Sequence, residues 1–403
     1  MIDIFDRKMD RFMKTEREIK SEEAWNIMLE FADQTGVSNS DNVPRRYLWT
    51  DAFAVCNFLT LYRQSADELH KNLAIALIDQ VHIVLGKYRE DDPRTGWISG
   101  LSETTGHKHP TAGGLRIGKS LRERGPTDPY DERLEWDRDG QYYHYLTKWM
   151  HALERTSMVT GDPKYCRWAV ELAKAAHAGF VTTSVPAGSK RMYWKMSTDL
   201  SYPLVPSMGH HDPLDGFMTY NELSMCAKKL EKNFKESFLE KEISEMAEMC
   251  TGKNWETEDP LGIGGLLFDA CRLAQLTSEE NMNHPSLFGA LLAASTLGLE
   301  SYLRHNPPTS LAQFRLAFRE LGLAIGLKSL VKINELYEAN GGAFDDGLYQ
   351  TIKKLTKYIP LAEMIEDFWR NPPNQKVDSW LGHRDINMVM LATSLSPEEF
   401  LSV

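Results

Sequence analysis

The sequence lacks paired cysteines: Cys56, Cys166, Cys226, Cys250 and Cys271 are scattered, odd in number and never spaced as CxxC. A disulfide framework or a zinc ribbon is thereby excluded, and reduced thiols in a cytoplasmic protein are expected. Long hydrophobic runs are missing too. The longest uncharged stretch of helical character, Pro285 to Leu299, has 15 residues, too short and too rich in small side chains to span a bilayer. The opening segment MIDIFDRKMDRFMKTEREIK is charged throughout and has no apolar signal-peptide core. There is no basic excess: 46 Lys and Arg stand against 57 Asp and Glu, a net charge of −11, which argues against nucleic acid or an anionic membrane surface as partner. GxSxG, HExxH, DDxxD and a Cys–His nucleophile context are all absent. The glycine-rich stretch Gly113 to Lys119 matches neither GxxxxGK[ST] nor GxGxxG and is expected to be a mobile surface loop, or else one that closes over a substrate. What remains is an ordinary globular composition, 42% apolar and 26% charged over 403 residues, enough to bury a large core.

The periodicity is helical. Segments are expected at about 49–64, 67–88, 140–160, 163–180, 213–230, 237–252, 259–277, 284–304, 310–340 (broken), 345–357, 360–370 and 383–394, with ends uncertain by roughly 2–4 residues. The best strand candidate is the short run Met192 to Ser197. Thr160-Gly161-Asp162-Pro163 reads as a helical hairpin: Gly ends one helix, Asp caps the next, and Pro fills the first turn, where its missing N–H costs nothing. Over 231–252, Phe234, Phe238, Leu239, Ile243, Met246 and Met249 form one apolar stripe, as on a surface helix. Leu261–Phe268 and Leu287–Ala294 are apolar on nearly all sides, as in buried helices, and their glycines suit close helix–helix approach. Polar clusters precede several helices, at Trp49–Asp51, Glu135–Gly140, His210–Gly216, Glu258–Gly262 and Leu381–Asp385. Their irregular spacing rules out a solenoid of fixed period and fits hairpins around a common centre.

Roughly twelve paired helices with little strand predict an all-α fold, an (α/α)6 toroid over 46–403 preceded by an N-terminal helical extension over 1–45. The hairpin Trp149-Met-His-Ala-Leu, Thr160-Gly-Asp-Pro-Lys-Tyr165 and Ala169 resembles the turn common in the six-hairpin glycosidase-like superfamily, over a chain span of about 49–394. The resemblance implies that the inner helices begin at one end of the toroid, so that the polar clusters converge on one funnel. It also implies a carbohydrate-active enzyme, most simply a glycoside hydrolase acting on a small-molecule or oligosaccharide substrate with paired carboxylates and no cofactor or metal. A sugar epimerase or isomerase using paired histidines is the alternative, and a non-catalytic helical scaffold the third.

Each candidate residue has a structural and a chemical reading. Glu135, Asp137 and Asp139 precede a helix and serve either as caps or as acids; Asp139 is taken as the general acid, with Asp137 and Trp136 contacting substrate. Within His210–Gly216, Asp212-Pro213 fits a cap and first-turn proline, Asp215 is the base, and His210 and His211 serve recognition or proton transfer. A metal there would need a third ligand such as His383 or Asp385. His383 is the histidine that would pair with His211 in an epimerase. Asp51 is a cap or a substrate contact. Trp49, Trp136, Trp194 and Trp380 lie beside polar clusters where flat sugar faces can stack on them, unless they belong to the core.

Overall fold

The computed structural model describes residues 2–39, 41–183, 188–230, 239–280, 282, 284–306, 309–339 and 346–403, with the backbone alone over 2–15. The chain begins with α1 (Ile2–Gln34), α2 (Leu48–Ser65), α3 (Glu68–Leu85), α4 (Glu103–Lys108) and α5 (Glu132–Glu135). It continues through α6 (Tyr143–Thr160), α7 (Pro163–Phe180), α8 (Asp212–Leu230), α9 (Glu240–Cys250), α10 (Pro260–Glu280) and α11 (Pro285–His305). The last helices are α12 (Ala317–Ala339), α13 (Asp346–Thr356), α14 (Ile359–Arg370), α15 (Asp378–Leu381) and α16 (Arg384–Leu395). The expected segments and these helices agree to within a few residues, because apolar periodicity and caps mark them locally. At the 160–163 turn, Gly161 is left-handed and the Asp162 carboxylate accepts the Lys164 N–H at 3.0 Å, with Pro163 in the first turn.

Among the described residues α2, α6, α8, α10, α12 and α16 form a closed inner ring, each touching the next and α16 returning to α2. Outside them lie α3 on α2, α7 on α6, α9 on α8, α11 on α10, α14 on α12, and α1 on α16. One hairpin of the toroid is therefore made from helices far apart in sequence: Ala24, Met28, Phe31 and Ala32 of α1 are buried, and this helix also touches α2. The close approach of α10 and α12 leaves room only for glycine. A Cβ on Gly264 would sit 2.1 Å from the Gly322 carbonyl oxygen, and one on Gly326 2.4 Å from that of Gly264.

Two expectations change. Helix α11, long and apolar enough by composition to cross a membrane, is half buried on the outside of α10 and is not an inner helix. Some of its apolar outer positions, such as Leu297, are exposed. The 113–119 stretch is not a mobile surface loop: Leu115 and Ile117 are fully buried, Leu48 N–H donates to the Ile117 carbonyl, and a Cβ on Gly118 (φ +93°) would meet the Arg46 carbonyl oxygen at 2.2 Å. Of the apolar stripe over 231–252, Phe234 and Phe238 lie outside the described residues, while Met246 and Met249 are buried as the stripe requires. Strand is scarce. Strands β1 (Gln141–Tyr142), β2 (Val181–Thr183), β3 (Lys190–Met192), β4 (Lys195–Met196) and β5 (Pro203–Val205) make an antiparallel sheet in the order β1-β4-β5 and a β2-β3 hairpin. The sheet pairs Tyr142 with Lys195 and so fixes the start of α6 beside Trp194.

Candidate functional site

The starts of α2, α6, α8 and α10 open on one cavity of about 560 Å³, within the size range of sites that enclose a small ligand. Its polar wall carries His144 and Lys148 from α6, His210 and His211 before α8, Asp212 and Asp215 at the start of α8, and Asp259 and Asp269 before and within α10. Its apolar wall includes Trp49, Phe53, Trp194, Phe268 and Phe400.

Asp215 is the most heavily held of these groups. Its carboxylate accepts from the Thr147 hydroxyl at 2.5 Å, from Lys148 Nζ at 2.8 and 2.9 Å, and from Arg272 Nη1 at 3.3 Å. Burial opposes its charge, but Lys148 and Arg272 override burial and hold the carboxyl down at about 2. Asp215 is thus a fixed anion, already engaged on both oxygens.

Its neighbours behave differently. Asp212 is the first residue of α8 rather than the cap before it, and its buried Oδ2 has no hydrogen-bond partner. Burial, and then the charge of Asp215, push its pKa up to about 7. Asp269 is likewise raised to about 7, chiefly by burial; Arg272 opposes the shift and Asp215 adds to it, and its Oδ1 also lacks a hydrogen-bond partner. Burial first, and the Asp215 charge in addition, thus hold these two carboxyls well above Asp215, so that the cavity contains carboxyl groups of unlike proton affinity. His144 and His211 are pushed down to about 4, mainly by burial, and are neutral at pH 7. Nε2 of His211 faces the Trp255 carbonyl at 3.1 Å, so the N–H sits there and Nδ1 is left as the basic nitrogen.

The structure brings Asp215, His210, His211, Trp49 and Trp194 into the cavity and leaves the other sequence candidates outside its lining. Asp139 is fully buried outside it, its carboxylate bound by Arg116 Nη1 at 2.5 Å and by the Gly118 N–H at 3.0 Å. It is held in a buried ion pair, apart from the cavity. Replacing Asp139 by Ala strands a buried guanidinium, and urea unfolding is expected to show a loss of roughly 3–5 kcal/mol, with turnover per folded molecule unchanged. Asp51 is also buried outside the cavity; it accepts the Tyr47 N–H at 2.9 Å and lies 3.4 Å from Arg46, and burial raises it to about 6. Asp137 is exposed and lines nothing. Trp136, also outside the cavity lining, is exposed and rests against Trp194, which does line it. Trp380 is a core residue stacked on Trp369 at 5.7 Å. His383 stands just before α16 with its ring beside Phe318 and makes no side-chain capping bond; it does not line the cavity with His211. Among the described residues no group of three His, Cys, Asp or Glu is arranged to hold a metal ion.

His144, Lys148 and Asp269, which line the cavity, and Arg272, which holds Asp215, were not among the sequence candidates. Each had a signal: His144 and Lys148 are four apart on one helix face, and Asp269 and Arg272 are a charged pair three apart following the apolar first half of a helix.

No protein-family model and no curated protein matches the sequence. Among solved structures, the chain is similar to a GH76 α-mannanase of Bacteroides thetaiotaomicron, with TM-score 0.53 and 10% identity over 96% of this chain and 97% of the other. It is also similar to an inactive variant of an α-1,6-mannanase of Salegentibacter sp. HEL1_6 in complex with α-1,6-mannotriose, with TM-score 0.49 and 12% identity over 95% and 100% of the two chains. A D-mannose isomerase aligns with TM-score 0.45 and 13% identity over 86% of each chain. At such identities the likeness is one of fold, and the fold shared with the α-mannanase is an (α/α)6 toroid.

Proposed function

We propose that this protein is a carbohydrate-active enzyme that hydrolyses glycosidic bonds, with Asp212 as proton donor, Asp269 as base, and Asp215 as the fixed anion that tunes both. The observation that carries this reading is geometric: Asp212 Oδ2 and Asp269 Oδ1 are buried carboxylate oxygens without hydrogen-bond partners, lining one cavity with an ion-paired third carboxylate, and the nearest cation to Asp269 Oδ1 is Arg272 at 3.7 Å. Glycoside cleavage asks for one carboxylic acid at the leaving oxygen and one carboxylate acting on water or the sugar. The aromatic wall supplies flat apolar faces for sugar rings, and an α-mannanase sharing the fold supports the substrate class. The test is product analysis on a panel of α- and β-linked gluco- and manno-oligosaccharides. Release of reducing ends that is lost in both Asp212→Asn and Asp269→Asn is expected. Turnover that survives in either variant overturns the assignment, and a panel left intact overturns the hydrolase.

One observation favours a second reading, a sugar epimerase or isomerase: His144 and His211 are both neutral and line the same cavity. In that case deuterium from solvent appears on a sugar carbon with no bond cleavage, and His144→Ala abolishes the exchange.

A further inference from the structure

We infer that the ligand is the end of a saccharide chain and not a lone sugar, because the cavity is blind below and its wall continues outward as an aromatic ledge. The inference rests on the carbohydrate reading above and narrows its substrate class.

The floor is a stack of three rings. Phe400 lies between Phe53 and Phe268, with centroids 4.3 and 4.6 Å away and planes tilted by 22° and 23°. Ile325 and Met390 line the cavity with them. Phe53 stands four residues beyond Trp49 on α2, about one helical turn or 5.4 Å deeper. The segment bearing Phe400 is fixed from beneath: the Phe400 carbonyl accepts from His151 Nε2 at 3.0 Å, the Leu401 carbonyl from Gln275 Nε2 at 2.9 Å, and the Glu399 carboxylate from Arg155 Nη2 at 3.2 Å. A polymer cannot thread through such a floor. Only a chain end can enter.

The mouth is built differently. Trp194 belongs to the cavity wall, and its indole Nε1 donates to the Ser207 hydroxyl at 2.8 Å, which sets the ring plane. Tyr142 braces it at 5.1 Å, and Trp136 carries the surface onward, its ring 5.8 Å from that of Trp194 and tilted by 38°. Trp136 is 57% exposed. A single exposed aromatic needs no explanation, but this one continues a ring surface that begins inside the cavity. The faces of such rings are electron-rich and apolar, matched to the C–H faces of sugars. A monosaccharide inside the cavity does not reach this ledge; the next units of a chain lie over it.

The experiment reads binding and not turnover, so it stands apart from the identity of the catalytic groups. The full chain is titrated calorimetrically with thio-linked, non-hydrolysable gluco- and manno-oligosaccharides of one to four units, and the titration is repeated with Trp136→Ala and Trp136→Phe. Affinity in one series is expected to rise with length. Trp136→Ala should lose about tenfold for the longer ligands, the equivalent of about 1.4 kcal/mol, leave the monosaccharide unchanged, and be largely rescued by Trp136→Phe. A flat series, or an equal loss for the monosaccharide, overturns the chain-end inference while leaving a carbohydrate site standing. Absence of binding in every series overturns both. Survival of turnover in Asp212→Asn, measured separately, overturns only the hydrolytic assignment.

Discussion

Replacing Asp212 by Asn is expected to lower kcat by roughly 10²–10⁴-fold, the usual contribution of a positioned acid, with little change in the melting temperature. Asn keeps the shape of the side chain beside Gly209, where even a Cβ would come within 2.3 Å of the carboxylate. Two pH effects accompany it. Because the folded carboxyl titrates at about 7, the wild type loses its proton donor, and its kcat falls, as pH rises through about 7. Stability follows the same group: in the unfolded chain it ionises near the ordinary value of about 3.9, so the native state binds the extra proton and stability falls as pH rises from about 4 towards 7. In Asp212→Asn this share of the fall disappears. Chemical denaturation at several pH values, alongside the kinetic profile, checks both. Turnover that persists, or an alkaline limb that does not move, removes Asp212 from the chemistry.

Replacing Arg272 by Met is expected to destabilise the fold by roughly 3–5 kcal/mol, as breaking a buried ionic cluster does. The guanidinium is fully buried and lies 3.3 Å from Asp215, 3.0 Å from Glu222 and 3.7 Å from Asp269, with a further bond to the Thr219 hydroxyl at 3.0 Å. Without it three carboxylates share a dry interior with Lys148 as the nearest cation to Asp215. The deficit is pH-dependent with a definite sign: protonating the stranded carboxyls relieves it, so the variant approaches the wild type as the medium is acidified from pH 8 to pH 5. Urea titrations at the two pH values measure this. A loss below about 1 kcal/mol, or one independent of pH, shows that the cluster does not hold α8 to α10.

The helices were legible because their signals are local. The Gly161-Asp162-Pro163 turn contains its own cap, its own left-handed residue and its own first-turn proline. His210, His211, Asp212 and Asp215 do line the cavity, because they stand at a helix start that opens on it. Asp139 misled because its decisive partner, Arg116, comes from a long connection whose course no periodicity describes. Trp380 misled because an indole next to charged residues in sequence lies next to Trp369 in space. Asp212 was read as a cap, since a proline follows it; what raises its carboxyl is burial, and then the charge of Asp215 one turn along, and neither shows in the local sequence. Asp269 and Arg272 were lost inside a helix judged only by its apolar surface. A charged pair within such a helix is the feature to look for.

The pairing of α1 with α16 also has a consequence in time. About 350 residues separate the end of one from the start of the other, and at a synthesis rate of about 5–20 residues per second the ribosome takes roughly 20–70 s to cross that interval. Throughout it, Met28 and Phe31 have no α16 to cover them, and the ring of inner helices stays open. The nascent chain is then an unfinished ring with an apolar seam, a substrate for chaperones until its last inner helix emerges.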